Sequence, residues 1–156
     1  MNEQPDLGAS ELRVRPSRGP VDFAPLVAIW RSAVDATHEF LADADRDEVE
    51  SRLESDYFPA VSLTVAELNG RPVGFAGVLD GNLEMLFIDA KQRGTGIGTS
   101  LLSHAINDHG VRYVDVNEQN PGACGFYLSR GFAQVGRDEL DGDGRPYPTL
   151  HLELSE

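Results

Sequence analysis

Along the chain, stretches whose apolar residues recur at every second position alternate with stretches where they recur at every third or fourth. Leu12-Arg13-Val14-Arg15 has the strand period, and residues 16–20 break it with turn formers. From Asp22 the spacing of Phe23, Leu26, Val27, Trp30 and Val34 predicts a helix, with Asp22 placed as its N-cap. A second helix is predicted over residues 43–56. Val49 and Leu53 are its apolar stripe, so it should lie on the surface or move. Three strands follow, over residues 61–67, 72–79 and 83–88, linked through Asn69-Gly70-Arg71 and Asp80-Gly81-Asn82. Ile97, Leu101, Leu102, Ala105 and Ile106 predict an amphipathic helix stopped by Gly110. Residues 112–116 read as a strand. Residues 121–130 read as a helix with Asn120 at its N-cap, Pro121 at its first position and Gly131 past its end. Residues 132–137 and 148–154 are closing strands around the turn Asp141-Gly142-Asp143-Gly144. The order β-α-α-β-β-β-α-β-α-β-β describes one α/β domain, a mixed and mostly antiparallel sheet of about seven strands flanked by about four helices. Residues 1–10 are polar and read as a flexible N-terminus, with the domain over residues 11–156.

Charge narrows the classes. The 156 residues carry 13 Lys+Arg against 26 Asp+Glu, a formal net charge of −13. Such a chain would repel phosphates, so bulk-charge binding to nucleic acid or an anionic membrane is not expected. No apolar run approaches the length of a membrane span. Met1-Asn2-Glu3-Gln4-Pro5-Asp6 lacks the basic start and apolar stretch of a secretion signal. A single cysteine, Cys124, precludes an internal disulfide and a thiolate zinc cluster. The expectation is a soluble, cytoplasmic protein.

The segment Gln92-Arg93-Gly94-Thr95-Gly96-Ile97-Gly98-Thr99 carries the strongest chemical signal. Alternating glycines let successive backbone N–H groups converge on one anion where a helix begins. Arg93 adds a forked cation suited to phosphate oxygens. The same glycines would also serve a tight strand-to-helix turn with no ligand. A Walker loop requires Gly-Lys-Ser/Thr and a dinucleotide loop Gly-x-Gly-x-x-Gly, and neither spacing is present.

Arg93-Gly94-Thr95-Gly96-Ile97-Gly98 resembles the acetyl-CoA loop, Gln/Arg-x-x-Gly-x-Gly/Ala, of the GCN5-related N-acetyltransferase (GNAT) superfamily. The stretch from Asn120 to Phe132 is similar to that superfamily's later motif, Asn-x-x-Ala-x-x-Phe-Tyr-x-x-x-Gly-Phe, matched at Asn120, Ala123, Phe126, Tyr127, Gly131 and Phe132. The resemblance covers roughly residues 12–154. Within the superfamily, Leu26-Val27-Ala28-Ile29-Trp30, Asp35-Ala36-Thr37-His38 and Val116-Asn117-Glu118-Gln119-Asn120 look most like the YjaB-type bacterial acetyltransferases. The resemblance implies acetyl-CoA as co-substrate, no metal, and transfer of acetyl to a primary amine, either a small cationic amine or a protein lysine; direct attack in a ternary complex is the expected route, because no cysteine is placed as an acyl carrier. It implies that Arg93, Gly94, Thr95, Gly96, Ile97, Gly98 and Thr99 hold the pyrophosphate. It further implies that backbone groups of Leu86, Phe87 and Ile88 hold the pantetheine arm, that Asn120 contacts the cofactor, and that the Tyr127 hydroxyl protonates the departing thiolate. Many relatives pair, so the chain is expected as a monomer or homodimer. A non-catalytic acyl-CoA sensor would carry the same loop, and acyl transfer separates the two.

An alkylamine is mostly a cation at neutral pH, so a base is needed. The sequence leaves it open. Glu84 shares a strand face with Leu86 and Ile88 by alternation, where apolar neighbours would raise a carboxyl pKa; a solvent-facing charge is the plainer reading. His38 ends the first helix and titrates in the useful range, or simply complements the helix C-terminus. Asp35, three residues before, could bind a cationic acceptor or orient that imidazole. Glu118, Tyr147 and His151 are weaker candidates. Cys124 reads as an inert helical thiol, and His104 and His109, five apart, are expected to face apart.

Overall fold

Two tight turns set the register of the central strands. Asn69-Gly70 and Asp80-Gly81 take φ of 55°, 83°, 51° and 80°, the paired positive values of type I′ hairpin turns. In the computed structural model, which describes residues 11–155, they join β2 (Ser62–Leu68) to β3 (Arg71–Leu79) and β3 to β4 (Asn82–Ile88). The expected flexible N-terminus, residues 1–10, lies outside the described residues.

With β1 (Leu12–Pro16), β5 (Tyr113–Asn117), β6 (Phe132–Asp138) and β7 (Thr149–Leu154), these strands form one sheet in the order β1-β2-β3-β4-β5-β7-β6. Every neighbouring pair is antiparallel except β4–β5. Among the described residues the four α-helices are α1 (Phe23–Thr37), α2 (Asp43–Arg52), α3 (Ile97–His109) and α4 (Pro121–Ser129). The expected mixed sheet and its helices are therefore present as one α/β domain.

Each face of the sheet has its own core. Leu26, Ile29, Trp30 and Val34 of α1 pack with Leu53, Phe58, Val65 and Phe75 on one face. Ile97, Leu101, Leu102 and Ala105 of α3, with Tyr127 of α4, pack with Val73, Ala76, Leu83 and Val114 on the other.

Two local expectations fail. Asp22 occupies the N-cap position of α1 but its side chain caps nothing. Its carboxylate instead receives both Nη groups of Arg15 at 2.9 and 3.0 Å and the backbone N–H of Arg18 at 2.7 Å. Arg15 Nε donates to Glu67 at 2.8 Å, so half-buried Arg15 and the buried carboxylates of Asp22 and Glu67 lock β1, β2 and the start of α1 together. The second helix ends at Arg52 and widens into a π turn over Leu53–Tyr57. The turn carries Leu53 and Phe58 into the core, where Phe58 meets Phe23 and Phe75 at ring distances of 5.2 and 5.6 Å. Helix α2 itself buries no residue, as its thin apolar stripe predicts.

Candidate active site

One extra residue opens the sheet. Gly77 and Val78 of β3 are adjacent, yet they pair with Met85 and Leu83, so Glu84 is the bulged residue of β4. The bulge breaks the alternation. Leu86 and Ile88 pack toward α3, whereas Glu84 lines a cavity with Met85, Phe87 and Trp30 on the α1 face. The expectation that Glu84 shares a face with Leu86 and Ile88 is corrected on this ground. Its carboxylate is exposed and accepts from Asn82 Nδ2 at 2.6 Å.

Past the bulge β4 and β5 separate. Their pairing is confined to Asn82–Tyr113 and Leu83–Val114. A cavity of about 140 Å³ lies between them, lined from β4 by Leu86 and Phe87, from β5 by Asp115 and Val116, and at its end by Asn120 and Tyr127. His38 lines it too. Tyr127, Asn120, His38, Leu86 and Phe87 also line a second cavity of about 240 Å³, which extends to Ile88, Arg93 and Gly98. That one adjoins a third, of about 320 Å³, against the glycine loop and Arg130. A groove thus runs from the loop, past Tyr127, into the gap between the strands.

The glycine loop is built as its spacing suggests. Gly94 and Gly96 take φ of 79° and 87°, where a side chain would strain the backbone. Gly96 is the N-cap of α3, and the first helical bond runs from the Ser100 N–H to its carbonyl at 3.0 Å. The N–H groups of Ile97, Gly98 and Thr99 therefore lie in the first turn, where no helical acceptor precedes them. Gly98 differs: it has ordinary φ, and a Cβ there would sit 3.6 Å from Phe126, at the wall of the groove. The sequence missed Arg130. Its guanidinium lies 4.0 Å from the Phe126 ring centroid and donates to Thr99 Oγ1 at 2.7 Å. Its only sequence signal is a cation four residues after Phe126 in an acidic chain. Among the described residues neither Arg93 nor Arg130 is ion-paired to a carboxylate, whereas Arg15, Arg31, Arg46, Arg137 and Arg145 all are. The loop thus presents two cations and a helix N-terminus to one open surface, a fit for a phosphate-bearing ligand.

Asn120 caps α4, its Oδ1 accepting from the Ala123 N–H at 3.2 Å. Tyr127 is buried, and loss of hydration pushes its hydroxyl well above the usual phenol range, with Cys124 nearby adding to the effect. The Cys124 thiol is half-buried and pushed up by the same cause, in keeping with the inert reading.

His38 has left the helix, with φ −115° and ψ 54°, and packs against Phe40 and Phe87 at ring distances of 5.1 and 6.4 Å. Burial lowers its pKa below the usual histidine value. Its Nδ1 lies 2.7 Å from Thr37 Oγ1. Asp35, expected as a possible orienter of that ring, is committed elsewhere: Arg31 Nε donates to it at 3.0 Å and Arg46 Nη1 lies 3.6 Å away. The helical spacing of three no longer applies once His38 departs from helical geometry.

Of the weaker candidates only His151 lines a cavity near the splayed strands, and all three are tied to other side chains. The Tyr147 hydroxyl donates to Asp45 and accepts from the Ala42 N–H at 3.1 Å, tying the loop before β7 to α2. Glu118 pairs with Arg137. His151 lies between two carboxylates, Nδ1 2.6 Å from Asp115 and Nε2 2.7 Å from Asp138, which raises its pKa. With Glu84 and Asp141 they line an acidic cavity of about 260 Å³ beside the splayed strands. His104 and His109, expected to face apart, bring their rings to 5.2 Å, and His104 Nδ1 bonds Asp108 at 2.8 Å.

Known proteins share this frame. Residues 29–154 match the acetyltransferase (GNAT) domain family. The peptidyl-lysine N-acetyltransferase YjaB of Salmonella typhimurium is 47% identical over 128 residues, covering 81% of this chain and 88% of that protein. YjaB of Escherichia coli is 45% identical over 129 residues, covering 81% and 86%. The solution structure of apo YjaB from Escherichia coli superposes with a TM-score of 0.82 at 40% identity, covering 92% of this chain and 97% of that one. Among the described residues no helix is long and apolar enough to cross a membrane. A sheet parted beside a glycine-rich helix start, on a chain this similar to named acetyltransferases, places the protein in the GNAT family of N-acetyltransferases.

Proposed function

We propose that the protein transfers acetyl from acetyl-CoA to the side-chain amine of a lysine in a peptide or protein, in the cytoplasm, by direct attack of the amine. The observation that carries the reading is that Tyr127 and His38 line one cavity in the gap between β4 and β5, continuous with the glycine loop. The printed names of the two relatives above support lysine as the acceptor.

The donor supplies a thioester whose acyl carbon is open to an amine. In this reading Gly94 to Thr99, Arg93 and Arg130 bind its phosphates, the helix start doing so through backbone N–H groups. The β5-facing edge of β4 at Leu86, Phe87 and Ile88, which has no strand partner past Leu83, offers backbone groups to the pantetheine amides. Asn120 adds a contact from the head of α4. The acidic wall around Glu84, Asp115 and Asp141 draws a cationic amine inward. As the ammonium leaves water its pKa falls and it gives up one proton to solvent; the free amine then attacks, and His38, kept neutral by burial, accepts the second proton as the N–C bond forms. Glu84 at the mouth is the second acceptor for that proton. Burial keeps the Tyr127 hydroxyl protonated until the thiolate departs. The same dry surroundings raise the proton affinity of the thiolate, which offsets the raised pKa of the hydroxyl that donates to it. Cys124 takes no part.

Thermal stabilisation by acetyl-CoA against NAD, followed by thiol release with lysine peptides, a polyamine and an amino sugar, tests the proposal. A ligand at 100 times its Kd adds about 2.7 kcal/mol. Stabilisation with release from a lysine peptide, and acetyl-lysine found by mass spectrometry, is expected. Stabilisation without release from any amine would overturn it in favour of a sensor.

A further inference from the structure

Thr37, the last residue of α1, has a hydroxyl with two neighbours. Its Oγ1 donates to the Ala33 carbonyl at 2.8 Å and lies 2.7 Å from His38 Nδ1. A threonine hydroxyl has one proton to give, and two lone pairs to receive with. Once that proton is committed to Ala33, the 2.7 Å contact is a hydrogen bond only when Nδ1 carries hydrogen and donates to Oγ1. A neutral imidazole with hydrogen on Nδ1 has its lone pair on Nε2.

The rest of the surroundings hold that arrangement. Phe40 and Phe87 pack against the ring, at 5.1 and 6.4 Å between centroids, and neither offers a competing acceptor. The Ala33 carbonyl lies one helical turn before Thr37, the ordinary back-bonding partner of a threonine hydroxyl in a helix. Nδ1 is thus turned to the helix end, and Nε2 is the ring nitrogen left for the cavity that His38 shares with Tyr127.

We infer that Thr37 is a positioning residue that selects the Nδ1–H tautomer of His38, so that Nε2 presents a bare lone pair to the incoming amine. The inference rests on the reading of His38 as proton acceptor. The wrong tautomer would present an N–H to an N–H and could accept nothing.

Long-range ¹⁵N–¹H correlation spectra of histidine-labelled protein at about pH 8, where imidazoles are neutral, read the tautomer directly. His38→Gln identifies the signal. The expected result is Nδ1–H in the native protein, a shift toward Nε2–H in Thr37→Val, and Nδ1–H again in Thr37→Ser. In step, kcat for a lysine peptide falls about ten- to a hundredfold in Thr37→Val and recovers in Thr37→Ser, while the KM for acetyl-CoA is unchanged. Nε2–H in the native protein, or an unmoved tautomer in folded Thr37→Val, overturns the inference. A moved tautomer with unchanged kcat, alongside full activity in His38→Gln, overturns instead the assignment of His38 as the base.

Discussion

The guanidinium of Arg130 lies over the ring of Phe126, 4.0 Å from its centroid, and reaches across to Thr99 at the start of α3. Two helices distant in sequence thereby hold one cation at the rim of the glycine loop. Stacking fixes where the charge sits, and the lack of a carboxylate partner among the described residues leaves it for an anion. Arg130→Gln is expected to raise the Kd for acetyl-CoA roughly tenfold, as loss of one charge-assisted contact does, with kcat unchanged. Calorimetric titration checks the first, steady-state kinetics the second.

Gly98 separates stability from binding. Its φ is ordinary and a Cβ would meet Phe126 only at 3.6 Å, so Gly98→Ala should fold and gain up to about 1 kcal/mol of helix propensity. The same methyl stands at the groove wall, so cofactor affinity should drop severalfold. A melting temperature that rises while the Kd worsens is the expected pair. Tighter binding would show that the groove does not take the cofactor.

Tyr127→Phe removes a proton donor from an otherwise intact apolar wall. Turnover should fall by about a hundredfold or more, with acetyl-CoA binding within a factor of two of the native protein. Equal loss of both would mean the ring, rather than its hydroxyl, is what matters.

Asp22 and Arg15 give a stability prediction. Arg15, with loss of hydration opposing it, holds the Asp22 carboxyl down from the usual 3.8 to about 2. A carboxyl depressed on folding stabilises the protein above its unfolded pKa. That contribution, about 2 kcal/mol, is lost as pH falls from about 4 through 2. Asp22→Ala leaves Arg15 half-buried without its bidentate partner and should cost about 3–5 kcal/mol, a drop of roughly 6–20 °C in melting temperature. Calorimetry at neutral pH measures it.

His38 and His151 should titrate on opposite sides of 6.5, His38 below it because of burial and His151 above it because of Asp115 and Asp138. The charged form of His151 stabilises the fold below the unfolded pKa, and this contribution disappears as pH rises through its own higher value. Two-dimensional NMR across pH 5 to 9 resolves both; the reverse order would contradict the burial of one ring and the paired carboxylates at the other.

Much of this was legible in the chain because the signals are local. Asn69-Gly70, the cap at Asn120, Gly96 before α3 and Gly131 after α4 each specify backbone geometry within a few residues. The face of Glu84 was not legible, because a bulge is set by pairing with β3 across a sheet. Nor was the partner of Asp22: an N-cap aspartate and a buried ion-pair aspartate look alike until Arg15 and Glu67 are brought beside it from two strands. Thr37 had no marker beyond adjacency to His38. Gly74 is a further case, since its lack of a side chain matters only where Ile88 and Ile97 close on it, a Cβ falling 2.9 and 3.2 Å from their tips.

The parting of β4 from β5 also makes the sheet two plates joined at Asn82–Tyr113 and Leu83–Val114. β1 to β4 ride on one plate, β5 to β7 on the other. A ligand arm laid in the gap would work as a substitute strand, supplying the rungs that the protein omits. Loading the donor should therefore stiffen the molecule across its whole width, slowing amide exchange in β5 and β7 as well as in the groove. An acceptor arriving after the donor would meet a rigid, finished wall, and one arriving before it would meet a hinge.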